Sequence, residues 1–557
     1  MNLFREDPNL LFILRQYLEP RMLEWASREL DRYGELCGTE IDQRAIHTDR
    51  EGQPRLIKYD QMGNDISHVW MNEGYKQTVK ETYQAGIVGY LYQKIPELGH
   101  KGNYIYSYAQ GYLLSQTEAG FYCPVTLTMA TSYLIDAYAS PELKEKYLPH
   151  VTSIGKEELY EGATFLTERQ GGSDVGANDV RAIPDGDAYR LYGEKYFASN
   201  AGACGVAMVL ARVEGAGAGT KGLSLFLVPW RQPDGRLNHL TIRRLKDKLG
   251  VRAVPSGEVV FEGAEAYLVG DASKGFYYMM EALNLSRVCN AIASVGIMRR
   301  AYLEARNYAR KRDAFGQKLT QFPMVKETLA NLCARQEVET SAVFSMIPLF
   351  ERVMNSHRQG GNGQPQVSQE EQALNRLLIA LLKMRTAELA IEFSHQAIEM
   401  HGGNGYIEDF VTPRLLRDAQ VLTVWEGTAN ILGLEVLRLL NKYQVHRVYI
   451  QHVQQELAAL KPELQPLRKP IDQGMNQLVE LLTYLTEQSE DMQTYHSKRV
   501  AHLMSDIYTS LIALRDASRG DQRKELVACL YLQFTWERGY LDREMLSVKH
   551  YDEIVGI

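Results

Sequence analysis

From residue 8 to 160, apolar residues recur at steps of three and four, as in Leu10, Leu11, Leu14 and Leu18 and later Leu113 and Leu114. That period predicts a mostly helical segment, with Pro124 and Pro141 at helix starts or breaks. Near Glu161 the pattern shortens to strand-like runs: Tyr189–Tyr192, Val206–Val213, Leu223–Val228 and Glu258–Phe261. Turn-rich stretches separate them, such as Pro184-Asp185-Gly186-Asp187, and predict a small all-β domain to about residue 275. From Gly275 the helical period returns in one long stripe: Met280, Leu283, Val288, Ala291, Val295, Met298, Tyr302, Ala305 and Ala309. Residues 359–368 read as a loop, Glu370–His401 as a helix stopped by Gly402-Gly403, and a further helix runs from after Gly427 to about Tyr443. Residues 445–557 are again helical in pattern, interrupted at Pro462, Pro466 and Pro470.

The expected domains are therefore 1–160 helical, 161–275 β, 276–444 helical and a helical extension over 445–557. Helices and strands segregate instead of alternating, which excludes a doubly wound sheet. No GxGxxG follows a strand, and the glycines of Gly215–Gly219 lie between two strands with no helix behind them, as a hairpin turn would.

Composition narrows the class without naming it. The chain has 557 residues, 45% of them hydrophobic and 24% charged, which is a globular balance. A formal charge of -7 gives no bulk attraction to nucleic acid or an anionic membrane. Cys37, Cys123, Cys204, Cys289, Cys333 and Cys529 are dispersed, with no metal-ligand spacing. Arg5, Glu6 and Asp7 stand where a signal peptide needs apolar residues, and no apolar run is long enough for a membrane span. The expectation is a reduced, cytoplasmic protein.

Four segments carry candidate chemistry. Thr167-Glu168-Arg169-Gln170-Gly171-Gly172-Ser173-Asp174-Val175 offers backbone N–H groups and a hydroxyl to a polar ligand edge, although it is also ordinary turn composition. Arg312-Asp313-Ala314-Phe315-Gly316 ends the long helix with an arginine able to grip a pyrophosphate or simply to complement the helix dipole. Glu399-Met400-His401-Gly402-Gly403 permits close backbone approach to a cofactor or a neighbouring subunit, or serves as a helix cap. Trp425-Glu426-Gly427-Thr428-Ala429-Asn430 places a carboxylate beside an apolar wall that excludes water; Thr428 or Asn430 could instead cap the next helix.

In this order and spacing the segments resemble the acyl-CoA dehydrogenase family over roughly residues 80–440. Gly193-Glu194-Lys195-Tyr196-Phe197-Ala198-Ser199-Asn200 resembles its flavin-stacking stretch, and Leu249-Gly250-Val251-Arg252 a later β-domain signature. Cys123-Pro124-Val125-Thr126, Arg244–Gly250 and the tryptophan before Glu426 are similar to the AidB-like branch, the alkylation-response flavoproteins. The resemblance implies a mainly α fold: a helical bundle, a small central β-barrel and a four-helix bundle, here with a C-terminal helical extension.

It also implies a mechanism. Glu426 takes the α-proton of an acyl-CoA thioester while the β-hydrogen leaves as hydride to flavin N5 of FAD. A flavin ribityl hydroxyl and the backbone N–H of Glu426 hydrogen-bond the thioester oxygen. The family places its base in some members on the long helix before an arginine; here that position is Ser286, followed by Arg287, so Glu426 is the family-matched base. The implied cofactor contacts are Thr167, Gly172, Ser173, Phe197, Ser199, Arg312, Phe315, Glu399, Gly402, Gly403 and Asn430. The implied substrate contacts are Ser286, Arg287, Trp425 and Gly427, with Arg287 otherwise a helix-surface arginine. Arg312 would reach the FAD of a neighbouring subunit, which implies a homo-oligomer, a dimer of dimers, and the acceptor implied is an electron-transfer flavoprotein. Two positions depart from the family pattern: Phe322-Pro323 replace His-Gln, and Glu399 replaces Gln.

Competing readings are an AidB-like flavoprotein associated with DNA, a fatty-acyl-CoA-binding sensor and an oxidase. DNA binding by the extension would need a basic footprint. Residues 445–557 hold thirteen Lys and Arg against sixteen Asp and Glu. The local group Arg515, Arg519, Arg523 and Lys524 is the one exception, and it reads as a solvated helix face.

Overall fold

The computed structural model describes residues 1–358, 367–537 and 539–556; most of the loop expected at 359–368 lies outside them. They form two compact units. The first comprises Met1–Pro8, Leu18–Cys289 and Met354–Gln364; the second comprises Asn9–Tyr17, Asn290–Val353 and Pro365–Ile557.

Helices α1 (Pro8–Tyr17), α2 (Pro20–Leu36), α3 (Asp42–Arg50), α4 (Glu73–Gln84), α5 (Tyr104–Ser115), α6 (Ala119–Tyr138) and α7 (Pro141–Val151) fill the N-terminal part. All twelve residues of α5 are buried, and α6 is buried nearly all round, so neither shows a polar face in the sequence. Pro141 starts α7, whereas Pro124 sits early inside α6 without ending it. The region is mostly helical, as its period predicts, but contains one hairpin that the period did not reveal. Strands β1 (Arg55–Tyr59) and β2 (Asp65–Trp70) form an antiparallel hairpin, whose turn is fixed by the Asp60 carboxylate accepting from the N–H groups of Met62 and Asn64.

The β domain contains β3 (Gly162–Phe165), β4 (Arg181–Asp185), β5 (Ala188–Ser199), β6 (Val206–Val213), β7 (Leu223–Pro229), β8 (Leu240–Leu245) and β9 (Ser256–Leu268). Pairing runs β6-β4-β5-β9-β7, and β7 returns to β6, so the sheet closes as a small barrel. β3 and β4 both pair with β6 in parallel, at opposite ends of it. Gly215–Gly219 connects antiparallel β6 and β7, as a hairpin turn should. The short strands β3, β4 and β8, of four to six residues, escaped the sequence pattern because each carries too few alternations to register.

Helix α8 (Gly275–Lys311) contributes Gly275–Cys289 to the first unit and Asn290–Lys311 to the second. The second unit continues with the small hairpin β10 (Asp313–Ala314) and β11 (Gln317–Lys318), then α9 (Pro323–Arg358), α10 (Gln369–His401), α11 (Thr412–Leu422) and α12 (Ala429–Tyr443). The extension adds α13 (Val445–Ala458), α14 (Lys469–Thr486), α15 (Glu490–Arg519) and α16 (Gln522–Trp536). Pro470 begins α14 instead of breaking a helix. Among the described residues no helix is long and apolar enough to cross a membrane.

Candidate active site

The site residues of the first unit lie on the loop after β3, on β5 and on α8. The Thr167–Asp174 loop is tied to β5, since the Tyr196 N–H donates to the Thr167 carbonyl at 2.9 Å. Beneath it Lys195 and Glu168 form a buried pair at 2.7 Å, and the Glu168 carboxylate also accepts from the N–H groups of Asp179 and Val180. Burial pushes the Lys195 ammonium down to about 8, against the opposing pull of Glu168. A charged pair so enclosed contributes rigidity to the loop above it, leaving Gly172 and Ser173 exposed at its tip. Gly172 has little room for a side chain, because a Cβ there would lie 2.7 Å from Thr167 Oγ1. On β5, Phe197 stands 52% exposed with the Lys246 ammonium 4.7 Å from its ring, and Ser199 is half-buried two residues on. Ser286 and Arg287 are both buried on α8, so Arg287 is not the surface arginine that its alternative reading made it; it donates to Asn284 Oδ1 at 3.1 Å.

In the second unit the carried-over residues form two separate groups. Phe315 (φ +50) and Gly316 (φ +82) make the two-residue turn of the β10–β11 hairpin, whose geometry needs positive φ at both positions. This explains Gly316, while Phe315 holds a left-handed conformation that its ring does not favour. Phe315 is 98% exposed, and the Arg312 guanidinium has no ion pair among the described residues. Tyr308, one turn before Arg312, packs its ring at a tilt against His401 at 4.2 Å and accepts from Asn404, which brings the Gly402-Gly403 segment alongside. Gly402 (φ +61) caps α10 by donating to the Glu399 carbonyl, yet Cβ atoms at Gly402 and Gly403 would meet nothing within 4 Å. The cap is thus real and the surface beyond it open. The Glu399 side chain is largely exposed, 3.6 Å from His395.

The other group is the turn between α11 and α12. Glu426 has φ +54, a left-handed conformation that costs a residue with a Cβ about 1 kcal/mol or more, and Gly427 follows at φ +105. Asn290 Nδ2 on α8 lies 3.3 Å from Glu426 Oε2 and 3.2 Å from the Leu422 carbonyl. Lys383 Nζ on α10 donates to the Gly427 carbonyl at 2.8 Å. Trp425 is half-buried beside Glu426, and Asn430 is exposed in the first turn of α12. Thr428 takes the N-cap position, but its side chain makes no capping bond, so simple capping does not account for this turn. The two groups lie far apart within the chain. Asn290 and Lys311 are twenty-one residues apart on one helix, about 32 Å at 1.5 Å per residue.

Asn290 and Lys383 were not singled out by sequence. Lys383 left a signal, a lone cation in the apolar run Leu377–Met384; Asn290 left none beyond a polar residue near the apolar stripe. Sequence also gave the extension no role. Its helix α15 contributes Tyr495, Lys498, Arg499 and His502 to a cavity of about 740 Å³ shared with Asn430 and Leu434 of α12. The basic group of the extension is engaged internally: Arg515 donates to Tyr17, Arg519 to Gln16, and Arg523 and Lys524 to Glu337.

Comparison with known proteins converges with this geometry. The acyl-CoA dehydrogenase C-terminal domain model matches residues 273–440, the middle domain 163–264, and the adaptive response protein AidB N-terminal domain 1–156. Acyl-CoA dehydrogenase family member 11 of Caenorhabditis elegans is 30% identical over 577 aligned residues, spanning 98% of this chain and 91% of that protein. The chain belongs to the acyl-CoA dehydrogenase family. Within that family it falls in the AidB-like branch, being 30% identical to putative acyl-CoA dehydrogenase AidB of Escherichia coli (strain K12) over 75% of each chain. The solved structure of Caenorhabditis elegans ACDH-11 in complex with C11-CoA superposes with a TM-score of 0.87 at 28% identity, covering 100% of this chain and 95% of that one. As an acyl-CoA dehydrogenase, the protein is an FAD-dependent oxidoreductase. Its residues suit that cofactor: an exposed ring at Phe197 for a flat isoalloxazine, a small-residue loop at Gly172-Ser173 for its polar edge, and a guanidinium with no ion pair among the described residues at Arg312.

Proposed function

We propose that the protein dehydrogenates an acyl-CoA thioester between its α and β carbons, with Glu426 as the base. The observation that carries this reading is the strained, braced turn around Glu426. A non-glycine residue lies in the left-handed region of a turn whose Glu426 carboxylate and Gly427 carbonyl accept from two long helices, an arrangement suited to fixing a carboxylate at a site of reaction.

The chain's own residues divide the work. Thr167, Gly172, Ser173, Phe197, Ser199 and Asn430 hold FAD, and the chemistry the cofactor supplies when bound is acceptance of a hydride. Glu426 receives the α-proton on its carboxylate, breaking the Cα–H bond while its backbone N–H polarises the thioester oxygen and so acidifies that proton. Trp425 and the acyl chain exclude water, and Gly427 leaves the backbone room for the thioester to approach. Ser286 and Arg287 contribute to the substrate side. Arg312, Phe315, Glu399, Gly402 and Gly403 of one copy serve the cofactor of another, so the working form is a homo-oligomer built from dimers. The electron acceptor is an electron-transfer flavoprotein.

An anaerobic titration with butanoyl-, octanoyl-, undecanoyl- and hexadecanoyl-CoA, following the visible flavin band, tests the reading. One length class should bleach the band, and Glu426→Gln should abolish bleaching by at least 10³-fold in rate while still binding FAD. A bound flavin that none of the four thioesters bleaches, or a Glu426→Gln protein that bleaches like the parent, would overturn it.

A further inference from the structure

We infer that Asn290 is the positioning residue of the base, and that with Lys383 it holds the base turn in its strained form. The inference rests on Glu426 being the base and adds what aims it.

Asn290 is only 4% exposed and lies among the apolar residues of α8. Its amide orientation is settled by chemistry. Both atoms facing Nδ2, the Leu422 carbonyl and Glu426 Oε2, are acceptors, so a reversed amide would set oxygen against oxygen twice. Leu422 ends α11 and Glu426 lies four residues on; one amide therefore ties the entry of the turn to its reactive carboxylate. Lys383, 1% exposed, secures the following carbonyl at Gly427. The donors come from α8 and α10, rigid elements that do not share the turn's conformational freedom.

The remaining atom of the amide makes the case sharper. Asn290 Oδ1 is buried without a hydrogen-bond partner among the described residues. A leucine of similar size would carry no such penalty in an apolar stripe. The asparagine thus lowers the stability of the helix packing, and what its side chain gains is the contact with the turn and with Glu426. In the left-handed region the Glu426 backbone would relax if released, moving the carboxylate by a distance that matters for proton transfer.

The test compares Asn290→Leu and Asn290→Asp with the parent as FAD-loaded full-length proteins, using the same four acyl-CoAs under anaerobic stopped flow. Both variants should show a limiting rate of flavin bleaching about 10²-fold lower, as expected when a reacting group is displaced by around 1 Å. The acyl-CoA concentration for half-maximal rate, the FAD content and the spectrum of the bound flavin should stay parental, which a merely structural defect would not allow. Asn290→Asp preserves shape if the leucine variant fails to fold. A parental limiting rate in either folded variant, with Glu426→Gln inactive, would overturn this inference alone. Activity in Glu426→Gln, or no bleaching of the parent by any of the four thioesters, would remove the base reading and this inference with it.

Discussion

At the scale of single residues, carboxylates in this protein differ by what surrounds them. Glu161, at the edge of β3, is buried, and its carboxylate accepts from the Tyr83 hydroxyl at 3.1 Å. Burial raises it to about 7, a shift the Tyr83 hydrogen bond only partly offsets. The folded state therefore holds a proton on Glu161 that the unfolded chain releases near its ordinary value of 4.5. Its contribution to stability is complete below pH 4.5 and is lost as pH rises through 7. Glu161→Gln keeps an acceptor for Tyr83 and never ionises, so it should match the parent at pH 4.5 and exceed it by ~1–3 kcal/mol at pH 8. Urea midpoints across that range measure the difference, and a constant offset would contradict the argument. Residues of this kind mark what sequence could tell. Glu426 stands out in the sequence because it sits in a motif with Trp425 and Gly427, whereas Asn290 meets it through a contact 136 positions away that no local pattern encodes.

At the scale of elements, legibility followed the length of the periodic signal. The stripe on α8 and the Gly402-Gly403 stop of α10 gave both helices nearly to the residue. The β1–β2 hairpin was lost because five- and six-residue strands between helices carry too few alternations to outweigh their surroundings. The extension was read only as helical, and its attachment could not be read at all. It is anchored at Glu337 on α9, a carboxylate that accepts from Arg523 at 3.0 Å and Lys524 at 2.8 Å on α16, while its own main-chain carbonyl accepts from Asn9 on α1 at 3.2 Å. Arg523 also donates to the Ile554 carbonyl near the chain end. Burial alone would raise the Glu337 carboxyl; the two cations instead hold it well below the ordinary range. Four segments thus converge on one buried charge. Glu337→Gln leaves two cations without a counter-charge and should cost ~3–5 kcal/mol, with the loss visible first as faster amide exchange in α16 and residues 551–555. Exchange rates unchanged there would show that the anchor is elsewhere.

At the scale of the whole molecule, the second unit presents its cofactor-type residues in two places. The Glu426 turn lies beside Asn290, and the Arg312–Phe315 hairpin with Gly402-Gly403 lies beyond the other end of the same α8 segment, about 32 Å along the helix. One cofactor could not serve both groups in a single copy, yet Phe315 and the Gly402-Gly403 surface are left open to solvent. In the proposed two-fold pair, each copy would lend its hairpin to the site built on the other's Glu426 turn. The arrangement makes a complementation test decisive. Glu426→Gln and Arg312→Ala should each be inactive alone, the first for want of a base and the second for want of FAD retention. Co-expressed, they form mixed pairs in which one site combines the intact Glu426 of the Arg312→Ala copy with the intact Arg312 of the other. Random pairing makes half of the dimers mixed, each with one working site of two, so activity should recover to about a quarter of the parental value. If Arg312 instead served its own copy, every site would keep one defect and mixing would restore nothing. Bleaching of the flavin band in the co-expressed protein, normalised to total protein, therefore decides whether the cofactor site is completed by a second copy.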